Sequence, residues 1–167
     1  QLSENFWAAL EESDKRLSHW VGHNSSKNFQ YPHKYKDRTS IDNISEYSMV
    51  LRLAEQYLIR AEARAMQNKL QGAISDIDVI RQRAGIDLIA DTDPGIDREA
   101  LLDLILEERK KELFAEWGHR WLDLKRSGTV SAVLGPIKPL WQDTDALFPI
   151  PGEEREKNSN LTQNEGY

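Results

Sequence analysis

The chain has 167 residues, 39% of them hydrophobic, enough for the core of one ordinary domain. Its 22 Lys and Arg against 28 Asp and Glu leave a net charge of −6, which argues against a nucleic-acid partner. The absence of cysteine excludes disulfides, thiolate metal sites and a cysteine nucleophile, and apolar runs such as Leu104-Ile105-Leu106 are far shorter than the ~20 residues of a membrane-spanning helix.

In chain order, residues 1–47 carry one weak helical signal, with Phe6, Trp7, Leu10 and Leu17 to one side and Ser3 as its N-cap. The opening Gln1-Leu2-Ser3-Glu4 has no initiator Met and no secretory pattern, so a processed protein or a piece of a longer one is expected. From Trp20 to Tyr47, Gly22, Pro32 and several Asn and Ser alternate with aromatic residues, which reads as an irregular, ordered surface loop. Residues 48–85 then change character. Val50, Ala54, Tyr57, Leu58, Ala61 and Ala65 fall on one helical face, a polar turn follows at Asn68-Lys69, and Ala73, Ile74, Ile77, Ile80 and Ala84 give a second helix ending at Gly85. Two helices so joined pack antiparallel, and the small alanines allow the close approach of a tetratricopeptide-like pair.

After the turn Asp91-Thr92-Asp93-Pro94-Gly95, Asp97 is placed to cap a third helix over 97–117, and a short segment follows from His119 to Arg126. Residues 129–167 hold Pro136, Pro139, Pro149 and Pro151 and read as an extended tail lying across the helices. Strand-like alternation is almost absent, so the fold class is all-α: a helical scaffold with a tetratricopeptide-like helix pair and long ordered loops, forming one unit over 1–167. Asn158, Asn160, Gln163 and Asn164 are suited to satisfying the backbone groups of a packed tail.

Charge is densest around Arg109, Glu112, Glu116, Arg120 and Asp123, a stripe of alternating sign if the helix is continuous. Paired carboxylates suggest acid–base catalysis, but a carboxylate flanked by arginines is held ionised, the opposite of what a general acid needs at neutral pH. These five residues are expected to form a structural charge network. His19 and His23 have the i,i+4 spacing of a metal pair, yet no Glu follows His19 and Gly22 interrupts the helix, so no metal site is expected. No phosphate loop or nucleophile elbow occurs, and neither catalysis nor a cofactor is expected. In the loop, Trp20, Tyr31 and Tyr35 with Asp37 offer flat faces beside polar groups, the composition of a sugar-binding surface.

Several runs together carry a family resemblance. They are 51–63, Leu-Arg-Leu-Ala-Glu-Gln-Tyr-Leu-Ile-Arg-Ala-Glu-Ala; 80–85, Ile-Arg-Gln-Arg-Ala-Gly; 108–113, Glu-Arg-Lys-Lys-Glu-Leu; 119–126, His-Arg-Trp-Leu-Asp-Leu-Lys-Arg; 148–151, Phe-Pro-Ile-Pro; and 160–167, Asn-Leu-Thr-Gln-Asn-Glu-Gly-Tyr. In that order they resemble the SusD/RagB family of bacterial outer-membrane nutrient-binding lipoproteins over residues 48–167. Where the family's commoner form has Glu-Gly-x-Arg, this chain has Glu116-Trp117-Gly118-His119-Arg120, one residue longer, which predicts a π-bulge or a break at Gly118. The resemblance implies the C-terminal part of a surface protein that binds an oligosaccharide or similar nutrient and works with a TonB-dependent outer-membrane transporter. It also implies a membrane attachment only through a lipid anchor on an N-terminal part not present here. The competing reading is a freestanding helical protein–protein interaction module of tetratricopeptide type.

Overall fold

A computed structural model describes residues 2–37 and 45–167. Contacts group the chain into two compact units, Gln1–His119 and Arg120–Tyr167.

The first unit begins with two short helices, α1 (Glu4–Trp7) and α2 (Lys15–Trp20), where the sequence suggests one. Ser3 stands at the N-cap of α1 without a side-chain cap bond, whereas Asp14 caps α2 by accepting from the Arg16 amide at 2.9 Å. The expected irregular loop after Trp20 contains a β-hairpin, β1 (Val21–Asn24) antiparallel to β2 (Phe29–Pro32), with Gly22 opposite Tyr31. Asn24 closes its turn by accepting from the Lys27 amide and the Ser26 hydroxyl. Residues 38–44 of the 20–47 segment lie outside the described residues.

The helix pair follows as α3 (Leu53–Met66) and α4 (Leu70–Ala84), with Gly85 at φ 78° ending α4 in the left-handed conformation. Ala54, Leu58, Ala61 and Ala65 of α3 meet Ala73, Ile74, Ile77 and Ile80 of α4 in the core. Asp76 is nearly buried on α4 and accepts from Arg60 and Arg64 of α3, which ties the two helices together. Val50, placed by its periodicity on the buried face of α3, is instead 59% exposed and precedes the helix. The delay has a visible cause: Arg52 is extended (φ −121°, ψ 140°) and directs its guanidinium to acidic residues elsewhere in the unit.

Asp78 accepts from the amides of Ile89 and Ala90 at 2.8 and 3.0 Å, so α4 holds the start of a one-turn helix, α5 (Ile89–Thr92). Asp97 caps α6 (Arg98–Glu112), its carboxylate accepting from the Ala100 amide at 2.9 Å, and Leu101 and Ile105 carry α6 into the core of the pair. The expected continuation to 117 does not form. Leu113 and Phe114 follow Glu112 into the interior. Ala115, Trp117 and Gly118 then take positive φ, so the break comes before Gly118.

The helix α7 (His119–Arg126) leads into the second unit, which contains α8 (Val130–Leu134), a 3-10 turn (Asp143–Ala146) and α9 (Gly152–Lys157). Gln163 clamps the extended Pro-Ile-Pro run by accepting from the Ile150 amide at 2.7 Å and donating to its carbonyl at 3.0 Å. Asn164 Nδ2 donates to the Phe148 carbonyl at 2.7 Å, and the Tyr167 hydroxyl donates to the Leu147 carbonyl at 2.8 Å.

Asp97→Ala should lower unfolding stability by about 1 kcal/mol through loss of the α6 cap. Chemical denaturation checks this, and Asp97→Asn, whose side-chain oxygen can still accept from the Ala100 amide, should keep most of the wild-type stability.

Candidate functional site

The C-terminus of α6 is the electrostatic centre of the first unit. Glu112, with no exposed surface, takes Arg52 Nη1 at 2.7 Å on one carboxylate oxygen, and Arg83 and Arg16 on the other, Arg16 at 3.4 Å. Its backbone carbonyl, one of the acceptors left open at a helix end, receives Lys34 Nζ at 2.7 Å and Arg52 Nη2 at 2.8 Å. One turn earlier Glu108 is also buried and pairs with Arg16 at 2.5 Å and Arg81 at 3.3 Å. Glu116, beyond the helix end, binds Lys34 at 2.8 Å and Arg52 at 3.0 Å. Asp14 completes the set with a bidentate grip on Arg16.

Burial alone would lower the Arg16 pKa; the hydrogen bond and charge of Asp14 and the charge of Glu108 outweigh it and raise it. Arg52 follows the same balance, with burial opposed and exceeded by Glu112 and then Glu116. Lys34 goes the other way. Burial pushes it from the ordinary 10.5 to about 8, against the raising effect of Glu116.

The aromatic residues of the N-terminal segment wrap this centre. Lys34 Nζ lies 4.7 Å from the Trp20 ring centre and 4.2 Å from that of Phe114, while Arg83 and Arg52 stand 5.3 and 5.8 Å from Trp20. Phe6 packs on Phe114 with ring centres 4.8 Å apart. Trp20 is thus enclosed by cations. Tyr31 lies over Gly22, where a Cβ would come within 2.4 Å of its ring, and meets Phe29 and His33 edge-on. The Tyr35 hydroxyl accepts from the Met49 amide at 3.0 Å. Asp37 accepts from the Ser45 hydroxyl, and its own amide donates to Glu46 at 2.8 Å.

Among the predicted charge residues, Glu112 and Glu116 meet through their shared Arg52, and Arg109 is buried on α6. Arg120 and Asp123 belong to the second unit, where Asp123 accepts from Arg126 at 2.9 Å. The sequence reading missed Glu108 and the cations Arg16, Lys34, Arg52, Arg81 and Arg83. Only Glu108 carried a signal, its i,i+4 spacing from Glu112 on the same helix. His19 lies in the last turn of α2 and His23 on β1, and no group of three or more potential metal ligands occurs among the described residues.

Comparison with known proteins identifies this architecture. The model of the SusD family matches residues 6–167. SusD-like protein P38 of Formosa agariphila is 34% identical over 140 residues, covering 81% of this chain and 27% of that protein. SusD-like protein P2 of the same organism is 35% identical over 128 residues, 70% of this chain and 25% of that protein. A SusD superfamily structure from Bacteroides thetaiotaomicron has a TM-score of 0.73 at 27% identity, covering 96% of this chain and 37% of the other. A Bacteroides vulgatus structure provisionally named as a sugar binding protein has a TM-score of 0.71 at 29% identity, with 99% and 39% covered. The chain belongs to the SusD family, and it spans about a quarter of the length of the curated relatives it matches.

Glu112→Ala should destabilise the first unit by about 3–5 kcal/mol, because it removes the buried carboxylate shared by Arg16, Arg52 and Arg83. Thermal and urea unfolding measure it; a loss below about 1 kcal/mol would contradict the burial of this group. A second expectation concerns pH. The folded-state pKa of Lys34 lies below its unfolded value, so between about pH 8 and 10.5 the unfolded chain binds more protons, and stability from this residue rises with pH across that window. The wild type should therefore gain on Lys34→Met between pH 8 and 10.5, read as the difference between their unfolding free energies.

Proposed function

We propose that the chain is part of a cell-surface receptor that captures an oligosaccharide or similar nutrient, does not cleave it, and hands it to a TonB-dependent outer-membrane transporter. The observation that carries this reading is membership of the SusD family over nearly the whole chain. The Bacteroides vulgatus structure provisionally named for sugar binding, 29% identical, adds support. Attachment to the outer membrane through a lipid on the parent protein belongs to the same proposal, and no helix among the described residues is long and apolar enough to cross a membrane.

The chemistry agrees with binding rather than turnover. The buried carboxylates Glu108 and Glu112 are each held by two or more cations, an arrangement suited to a structural charge cluster. Trp20, at the end of α2, is committed to its cations, so this chain's proposed contact with sugar falls to Tyr31 and Tyr35, with Asp37 as an acceptor for hydroxyls. The alternative of a freestanding interaction module rests on the α3–α4 pair alone, and a stable array of such repeats needs about three.

Tyr31→Ala and Tyr35→Ala in the parent protein should each weaken glycan binding by about tenfold, measured by calorimetry on a ligand found by array screening. Unchanged affinity in both would remove the loop from the site. Trp20→Ala should instead act mainly on thermal stability.

A further inference from the structure

The second unit contains a cleft that the loop site does not use. Its volume is about 540 Å³, within the usual range of small-ligand pockets, and its walls include Trp121, Trp141, Phe148 and Tyr167, with Lys138 and Asp145 among them. We propose that this cleft is a second carbohydrate subsite, one that seats a neutral pyranose ring. The proposal rests on the glycan-binding reading above and adds a location within Arg120–Tyr167.

Three features carry it. The rings form walls at angles to one another: Trp121 and Trp141 have centres 6.4 Å apart at 71°, and Trp121 and Phe148 are 5.7 Å apart at 56°. At these distances the rings touch, edge to face or tilted, and make one continuous aromatic wall, and Phe148 remains 68% exposed and Tyr167 52% exposed. The walls are also fixed in advance. Trp141 Nε1 donates to the Ser131 hydroxyl at 3.2 Å, Tyr167 is anchored through its hydroxyl to the Leu147 carbonyl, and Asn164 holds the Phe148 carbonyl. A preformed aromatic surface avoids the entropy loss of ordering side chains on binding.

The polar groups select the ligand class. Asp145 uses Oδ2 to accept from the Gln142 amide at 2.9 Å, which leaves Oδ1 to accept from a hydroxyl, and Lys138 supplies a donor in the same cleft. A pyranose has an apolar C–H face for an aromatic wall and hydroxyls around its edge that both donate and accept. A purely apolar ligand would leave Lys138 and Asp145 desolvated, and a charged one would meet a like charge, Asp145 for an anion or Lys138 for a cation. Both are poorer fits.

The test uses the chain labelled with 5-fluorotryptophan, its five indole signals assigned by single Trp→Phe replacements, and titrated with maltoheptaose, cellohexaose, xylohexaose and mannohexaose. The expected result is that at least one of these shifts the Trp121 and Trp141 signals, with affinity reduced about tenfold by Phe148→Ala and by Lys138→Ala but unchanged by Tyr35→Ala. Both cleft variants alter largely exposed side chains, and an unchanged circular dichroism spectrum confirms that they fold. Shifts confined to Trp20 and abolished by Tyr35→Ala would overturn the second subsite while leaving the loop site standing. Absence of any Trp121 or Trp141 response to all four sugars at millimolar concentration would also overturn it, and the array screen of the parent protein then judges the glycan-binding reading separately.

Discussion

The first unit is organised around the burial of one carboxylate. Glu112 stands where α6 ends, and its two oxygens and its carbonyl collect cations from four places along the chain: Arg16 of α2, Lys34 after β2, Arg52 before α3 and Arg83 of α4. A buried ion cluster gains little over an apolar core of the same shape, but removing one member leaves the others uncompensated. Its value is therefore specificity. The apolar contacts of α3, α4 and α6 would tolerate small slips, whereas five charged bonds to one residue fix where the N-terminal segment, the start of α3 and the end of α4 meet.

That constraint also explains the local departures around it. Arg52 is extended because its guanidinium bridges Glu112 and Glu116, and α3 starts only at Leu53 as a result. Glu116 reaches Lys34 and Arg52 because α6 stops at Glu112 and the backbone turns through Ala115, Trp117 and Gly118. Trp117 and Gly118 fall in that turn, between α6 and α7, where they belong to neither helix. Trp20 then has a role suited to its size: a large face that interacts favourably with three cations.

What the sequence revealed follows the range of the interactions. The α3–α4 pair, the Gly85 stop and the Asp97 cap depend on residues three or four apart and were readable from periodicity and capping chemistry. Gln163 and Asn164 were readable, with Asn158 and Asn160, as side chains able to satisfy the backbone groups of a packed tail, and these two bind the backbone of Ile150 and Phe148. The β1–β2 hairpin escaped notice since its strands are four residues long and show no inside–outside alternation. The charge centre was visible only in half. Glu112 and Glu116 stood out, but their cations lie 29 to 96 residues away from Glu112, and nothing local in Arg16, Lys34 or Arg83 marks them as partners. The loop aromatics illustrate the same limit: composition placed Trp20 and Tyr35 in one segment, while only the fold shows one ringed by cations and the other holding the Met49 amide.

The central claim is that Glu112 fastens the N-terminal segment to the helical core, and hydrogen-exchange mass spectrometry of Glu112→Gln tests it most directly. The account predicts a local result: faster exchange in α2 and in the β1–β2 hairpin, with the middle of α3 and α4 protected as in the wild type. Wild-type exchange throughout, or a uniform increase that reaches the α3–α4 core to the same degree, would contradict it.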